Sequence, residues 1–144
     1  MNALTDLIAA EIAATEPLAV LNLGGVGNLS WIDPAKPGPD SPGALLAFDT
    51  GPANAPIDDL IRARTGAARD DNGELAARGT VNQPLVAQFL AHKYFSRMPP
   101  KSLDRNDFSA LPALMAPLST ADAAATLTAI VAACVATGLT HCPT

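Results

Sequence analysis

The stretch Leu21-Asn22-Leu23-Gly24-Gly25-Val26-Gly27-Asn28-Leu29-Ser30 decides how this chain folds, and it is answered downstream by Phe48-Asp49-Thr50-Gly51-Pro52-Ala53-Asn54. Each is an apolar run that breaks into small, turn-forming residues. A strand ending in Gly-Gly lets another group approach its backbone closely, because no Cβ stands in the way. A strand ending in Asp-Thr-Gly-Pro presents one acid, Asp49, fixed by a turn. The two features read as two walls of one site.

Taken as residues alone, both features have a plain reading beside the functional one. Gly24, Gly25 and Gly27 suit a hairpin turn, and they also suit a cradle in which backbone N–H groups face an anion. No Gly-Lys-Ser/Thr follows, so this is not a P-loop, and the spacing is not the dinucleotide fingerprint either. Asp before Thr-Gly-Pro suits a turn carboxylate as well as a functional acid.

Working outward, apolar residues Leu4, Leu7, Ile8 and Ile12 predict a helix over residues 3–15, ended by Pro17. Residues 18–23 read as a buried strand, 24–28 as a tight connection and 29–32 as a second strand, so a β-hairpin is expected. Pro34, Pro37, Pro39, Pro42 and Gly43 mark a surface loop, after which 44–48 returns as a third strand. Pro56 sits near the start of the next helix, whose apolar face is Ile57, Leu60 and Ile61. Residues 66–73 form a polar loop, and short helical pieces are expected around 74–77 and 84–91. Residues 96–118 read as Pro-rich and irregular. A final helix is capped by Ser119 or Thr120, suits Asp122 in its first turn, buries Leu127, Ile130, Val131, Cys134 and Val135, and ends at Gly138. The fold class is α/β: a hairpin plus a third strand, packed with helices.

The chain has 144 residues, enough for a single domain with its own core. Only 4% of residues are aromatic, so that core is built from Leu, Ile, Val and Ala. A net charge of −5 argues against a nucleic-acid surface. Cys134 and Cys142 fit no metal or redox spacing, and His92 and His141 have no paired ligand, so no metal site is expected. Asp70-Asp71-Asn72-Gly73 lacks the later glutamate of a calcium loop and reads as a solvated turn, while Asp58 and Asp59 read as charges near a helix N-terminus. No signal peptide or membrane span is read, the Ala-rich 121–136 segment being interrupted by Asp122 and threonines, and the cytoplasm is the expected compartment.

The two quoted stretches resemble the central part of the anhydro-N-acetylmuramic acid kinases, sugar kinases of the actin, hexokinase and Hsp70 superfamily. Asp70-Asp71-Asn72-Gly73-Glu74-Leu75-Ala76-Ala77-Arg78-Gly79 agrees with that family, as do Tyr94-Phe95, Pro99-Pro100-Lys101-Ser102, Arg105 and Phe108. The resemblance implies a fragment of an actin-like, ribonuclease H-like lobe, with residues 1–144 forming one domain of the second lobe of a two-lobe kinase. It implies ATP and Mg2+ as cofactors and a small sugar as substrate, with no nucleic acid or membrane partner and with a homodimer open to the full enzyme. The implied reaction opens 1,6-anhydro-N-acetylmuramic acid with water and phosphorylates it to N-acetylmuramic acid 6-phosphate, a step of cell-wall recycling.

Residue by residue, the resemblance makes Asp49 the catalytic base, Gly24, Gly25 and Asn28 the phosphate contacts, and Thr50, Gly51, Pro52 and Asn54 the substrate contacts. No metal ligand is assigned. The upstream phosphate loop of the family has no match here, so the chain alone is expected to be inactive, and a non-catalytic binding or regulatory module is the alternative. The chain departs from the family at Ala53, commonly glycine, which would be strained if that position needs positive φ. It departs again at Lys101-Ser102-Leu103-Asp104-Arg105-Asn106, where the family reads Lys-Ser-Thr-Gly-Arg-Glu. Lys101 and Arg105 suit either an anionic substrate group or two surface cations.

Overall fold

The structure, a computed structural model, describes residues 15–104 and 107–143. The helix expected over 3–15 falls, apart from its last residue, outside the described residues, and so does Arg105. Three antiparallel strands form a meander in the order β1-β2-β3: β1 is Leu18–Leu23, β2 is Val26–Ile32 and β3 is Leu45–Pro52. The hairpin holds, with a tighter turn than expected. Only Gly24 and Gly25 stand outside the ladder, because β2 already begins at Val26 and Leu23 pairs with Gly27. The third strand is longer than expected and carries Asp49 inside it rather than at its end.

β1 is the outer strand of the sheet, and it is not the buried strand that its apolar run suggests. Leu21 and Leu23 are each 41% exposed, and no strand pairs with the outer side of β1 among the described residues. A near-continuous apolar run is the pattern of a strand covered on both sides. Here the covering is incomplete.

The helices are α1 (Asn54–Thr65), α2 (Gln83–Leu90), α3 (Lys93–Ser96), α4 (Leu111–Met115) and α5 (Thr120–Leu139), with 3-10 turns at Asp71–Gly73 and Ala76–Arg78. α4 interrupts the stretch expected to be irregular: Pro112 stands in its first turn, where a missing N–H costs nothing. The side chain of Asn82 accepts from Leu85 N–H to cap α2, and Ser119 accepts from Asp122 N–H to cap α5. Asp58 and Asp59 sit beyond the first turn of α1, and Asp59 pairs with Arg62 on the surface at 2.9 Å. Asp70 binds the amides of Leu75 and Ala76, both at 2.9 Å, and so organises its own turn.

α5 is the spine. It packs against α1, α2, β2 and β3, and by length and composition alone it could cross a bilayer. Its apolar face is spent on the core: Ala123, Ala124, Leu127, Ile130 and Cys134 are buried, and all of these but Ala124 join Val86, Phe89, Phe95 and Met115 in the main cluster. Small residues let neighbours come close. A Cβ on Gly51 would lie 2.7 Å from Cys134 Sγ, and one on Gly138 would lie 2.9 Å from Thr50 Cγ2. Gly138 therefore does not end the helix, as the sequence suggested. It lies inside α5, where its missing side chain makes room for β3.

Candidate functional site

The site is built where β2 and β3 lie side by side. Asn28 and Asp49 are direct cross-strand partners, while the next pair is Gly27 with Gly51. Thr50 is thus the extra residue of a β-bulge. A bulge bends its strand and re-aims the side chains next to it. The bulge has room because Gly27 lacks a side chain: a Cβ there would meet Thr50 Oγ1 at 2.5 Å. Thr50, Gly51, Pro52 and Ala53 are all buried, and the strand passes straight into α1.

Asp49 is half-buried and held from several directions. Asn28 Nδ2 donates to its Oδ1 at 3.1 Å, and the backbone N–H of Leu103 donates to its Oδ2 at 2.8 Å. Its own N–H donates to the carbonyl of Lys101 at 3.1 Å, and its carbonyl accepts from the Tyr94 hydroxyl at 2.6 Å. Burial, with the Asp49 carboxylate next in weight, pushes the Tyr94 phenol well above its usual range, so Tyr94 stays a donor. A carboxylate offers roughly four acceptor positions, and two of these bonds leave room for a water. The arrangement can fix an acid in one orientation and still let it take a proton.

The Gly24-Gly25 turn is fastened to the start of α1. The Ala53 amide donates to the Gly25 carbonyl at 3.1 Å and the Asn54 amide to the Gly24 carbonyl at 2.8 Å, while Asn54 Nδ2 donates to the Leu23 carbonyl at 2.7 Å. The turn, the bulge and α1 form one rigid corner. That corner borders a cleft of about 770 Å³ whose walls include Gly25, Val26, Pro52, Leu60, Leu103 and Met115. Leu103 serves both features, since it lines the cleft and its N–H holds Asp49. Ala53 has φ −129°, so this position does not demand the positive φ that would strain an alanine.

The structure brings Asp49, Asn28 and the bulge residues together and sets Gly24, Gly25 and Asn54 at the adjoining corner. Lys101 is a buried residue, 6% exposed, so the reading of it as a surface cation is corrected. Tyr94 and Leu103 are contacts that residue-type reasoning missed. Leu103 acts through its backbone, which leaves no signature in the side chain. Tyr94 did carry a signal, in the Tyr94-Phe95 pair, but its bond to Asp49 crosses 45 positions. Among the described residues no three His, Cys, Asp or Glu come together as a metal cage.

A profile of the family described as anhydro-N-acetylmuramic acid kinase matches residues 4–143. The chain belongs to the anhydro-N-acetylmuramic acid kinase family. A protein of that name from Ruegeria sp. (strain TM1040) is 59% identical over 132 residues, which is 92% of this chain and 35% of the relative. One from Cereibacter sphaeroides is 59% identical over 136 residues, 94% of this chain and 37% of the relative. Another from Zymomonas mobilis is 49% identical over 130 residues, covering 90% and 33%. The chain thus spans about a third of the length of the curated kinases it matches.

Proposed function

We propose that this chain is the base-bearing part of an ATP-dependent kinase that opens 1,6-anhydro-N-acetylmuramic acid and phosphorylates it, in the cytoplasm, during cell-wall recycling. Family membership supports the activity, and the grip on Asp49 from β2 and from the segment around Leu103 supports its assignment as the base. In this reading residues 1–144 form one domain of an actin-like second lobe, and the full enzyme can pair as a homodimer.

Asp49 takes a proton from water, and the water oxygen forms a bond to the anomeric carbon. The bond from that carbon to the bridging oxygen breaks, and the freed oxygen attacks the γ-phosphorus of ATP. The bond from the γ-phosphorus to the oxygen it shares with the β-phosphorus breaks, ADP leaves with that oxygen, and Asp49 gives its proton up to solvent. ATP enters as its magnesium complex, a substrate whose ion is carried by the phosphates. Gly24 and Gly25 supply backbone amides at the exposed turn for the phosphate oxygens, in the manner of other backbone anion sites. Asn28 lies between that turn and Asp49. Thr50, Gly51 and Pro52 shape the floor under the sugar, and Asn54 braces the corner.

Phosphoryl transfer is mostly positioning and electrostatics, so both lobes are needed at once. The test is an assay of ADP and sugar-phosphate formation from ATP and the anhydro sugar, run on the full-length enzyme and on this chain alone. Turnover by the full-length protein with none by residues 1–144 is the expected result. A full-length protein that binds the sugar without turnover would replace the kinase reading with that of a binding module.

A further inference from the structure

Lys101 carries a charge into the interior of this domain. Its ammonium donates to the Tyr94 carbonyl at 3.2 Å and lies 3.4 Å from Nε2 of His141. It sits 4.7 Å from the centre of the Tyr94 ring and 5.9 Å from that of Phe48. Among the described residues no carboxylate forms an ion pair with it. Burial, and then the charge of Arg97, lower its pKa. A buried ammonium without a counter-ion is costly compared with a plain apolar side chain of similar length. Packing alone gives no reason to keep one here.

Its surroundings give a reason. Phe48 precedes Asp49 on β3. Tyr94 holds the Asp49 carbonyl through its hydroxyl at 2.6 Å. The Lys101 carbonyl itself accepts the Asp49 amide at 3.1 Å, and two residues on, the Leu103 amide grips the carboxylate at 2.8 Å. The side chain of Lys101 therefore touches residues that flank or hold Asp49, while its backbone and that of Leu103 touch Asp49 directly. An apolar side chain could fill this space, but it could not fix the rotation of the segment by a directed bond to the Tyr94 carbonyl.

We propose that Lys101 is the positioning residue of Asp49: its buried ammonium pins the segment of residues 97–104 so that the Lys101 carbonyl and the Leu103 amide set the orientation of the Asp49 carboxylate. This deepens the proposed function and rests on Asp49 being the base. Lys101 touches no reacting atom. It acts through Asp49, and that dependence is what an experiment can read.

The experiment uses the full-length enzyme with Lys101→Met, Asp49→Asn and the double variant. Lys101→Met keeps the length of the side chain and removes its charge and donors. Turnover number and KM for ATP and for the anhydro sugar are measured, with thermal unfolding as a check on folding. Misplacing a catalytic group by about 1 Å costs up to ~10²-fold in rate, so kcat should fall at least about tenfold while KM for ATP holds. In the Asp49→Asn background, Lys101→Met should cost nothing further, because residues acting as one unit are not additive. A purely structural lysine would instead lower the unfolding temperature and multiply the two losses. Near-native turnover in Lys101→Met, or losses that multiply, overturns the proposal. Near-native turnover in Asp49→Asn overturns the reading of the base beneath it. Should Lys101→Met fail to fold, Lys101→Gln, which removes the charge and keeps a polar terminus, carries the same cycle with the same outcomes.

Discussion

The backbone N–H of Leu103 donates to Oδ2 of Asp49 at 2.8 Å, across 54 positions of chain. The opposite oxygen is held by Asn28 at 3.1 Å, from the neighbouring strand. One donor belongs to the sheet and the other to a segment packed over it. The orientation of the acid therefore reports whether that segment is docked, and the sheet alone would leave half of the carboxylate unheld.

Replacing Asp49 by Asn in the full-length enzyme should lower turnover by ~10²–10⁴, the usual scale for loss of a general base. The amide has one acceptor oxygen, which the Leu103 N–H can keep if the Asn28 side-chain amide turns over to offer its own oxygen to the new NH2 group. The stability loss should therefore stay at or below about 1 kcal/mol. Asp58→Asn, in α1 and without a contact to Asp49, should leave turnover near native. Steady-state kinetics and urea unfolding of both variants check the pair, and normal turnover in Asp49→Asn would sink the assignment of the base.

The sheet was legible because turn chemistry and apolar runs are local signals. Gly24-Gly25 punctuates the hairpin, and Pro34 to Gly43 separates β2 from β3. The end of β3 was not legible. Asp49-Thr50-Gly51-Pro52 looks like a turn, but Gly27 beside Thr50 and Gly51 beside Cys134 leave just enough space for the strand to continue through a bulge. Gly138 misled for the same reason: a glycine after an apolar run suggests a C-cap, and only the position of Thr50 shows that it is a point of close approach. The burial of Lys101 was not legible, because burial is a property of the packed fold. Its neighbours in sequence are Pro100 and Ser102, whereas its neighbours in space are Tyr94, His141 and Phe48.

The fit between α5 and the bulge gives a prediction whose sign changes with background. Gly138→Ala places a Cβ 2.9 Å from Thr50 Cγ2, with its two other near contacts, Phe48 at 3.4 Å and Thr50 Cβ at 3.6 Å, at ordinary distances. Overpacking of this kind costs about 1–3 kcal/mol. Alanine in a helix gains up to about 1 kcal/mol over glycine. Alone, Gly138→Ala should therefore destabilise or be near neutral. Together with Thr50→Ser, which removes Cγ2, it should stabilise relative to Thr50→Ser. Chemical unfolding of the four proteins in the cycle checks the coupling, and a Gly138→Ala effect that is the same in both backgrounds would contradict the close approach.

The two cysteines should differ in reactivity. Burial pushes the Cys134 thiol up to about 12, and it raises the half-buried Cys142 as well. In the native protein at mildly alkaline pH an alkylating reagent should label Cys142 first and Cys134 only on unfolding, as followed by peptide mass. The linkage sign follows from the raised value. The folded state holds the Cys134 proton more tightly than the unfolded chain, whose thiol titrates near 9.0. The contribution is complete below that pH and is lost as pH rises from 9.0 toward about 12. Cys134→Ala should flatten that part of the stability profile, although the missing sulfur also leaves a small void.

Arg64 ties the wall of the cleft together. Its two terminal nitrogens donate to the Leu118 carbonyl at 2.7 Å and to the Met115 carbonyl at 2.8 Å, so α1 holds the C-terminal end of α4. These carbonyls lie at and just past the end of α4, where a helix leaves acceptors short of partners; the Met115 carbonyl also accepts from the Leu118 amide, and a guanidinium fork can serve both at once. Arg64→Ala should cost on the order of 2 kcal/mol, the scale of hydrogen bonds to a charged donor. Arg64→Lys should recover only part of it, since an ammonium on a single stem reaches one carbonyl more readily than two. Both Met115 and Arg64 line the cleft, whereas neither touches Asp49. The kinetic consequence should therefore fall on KM for the ligand that occupies the cleft, with kcat near the native value. A fall in kcat at unchanged KM would show instead that α4 is coupled to the Leu103 segment and, through it, to Asp49.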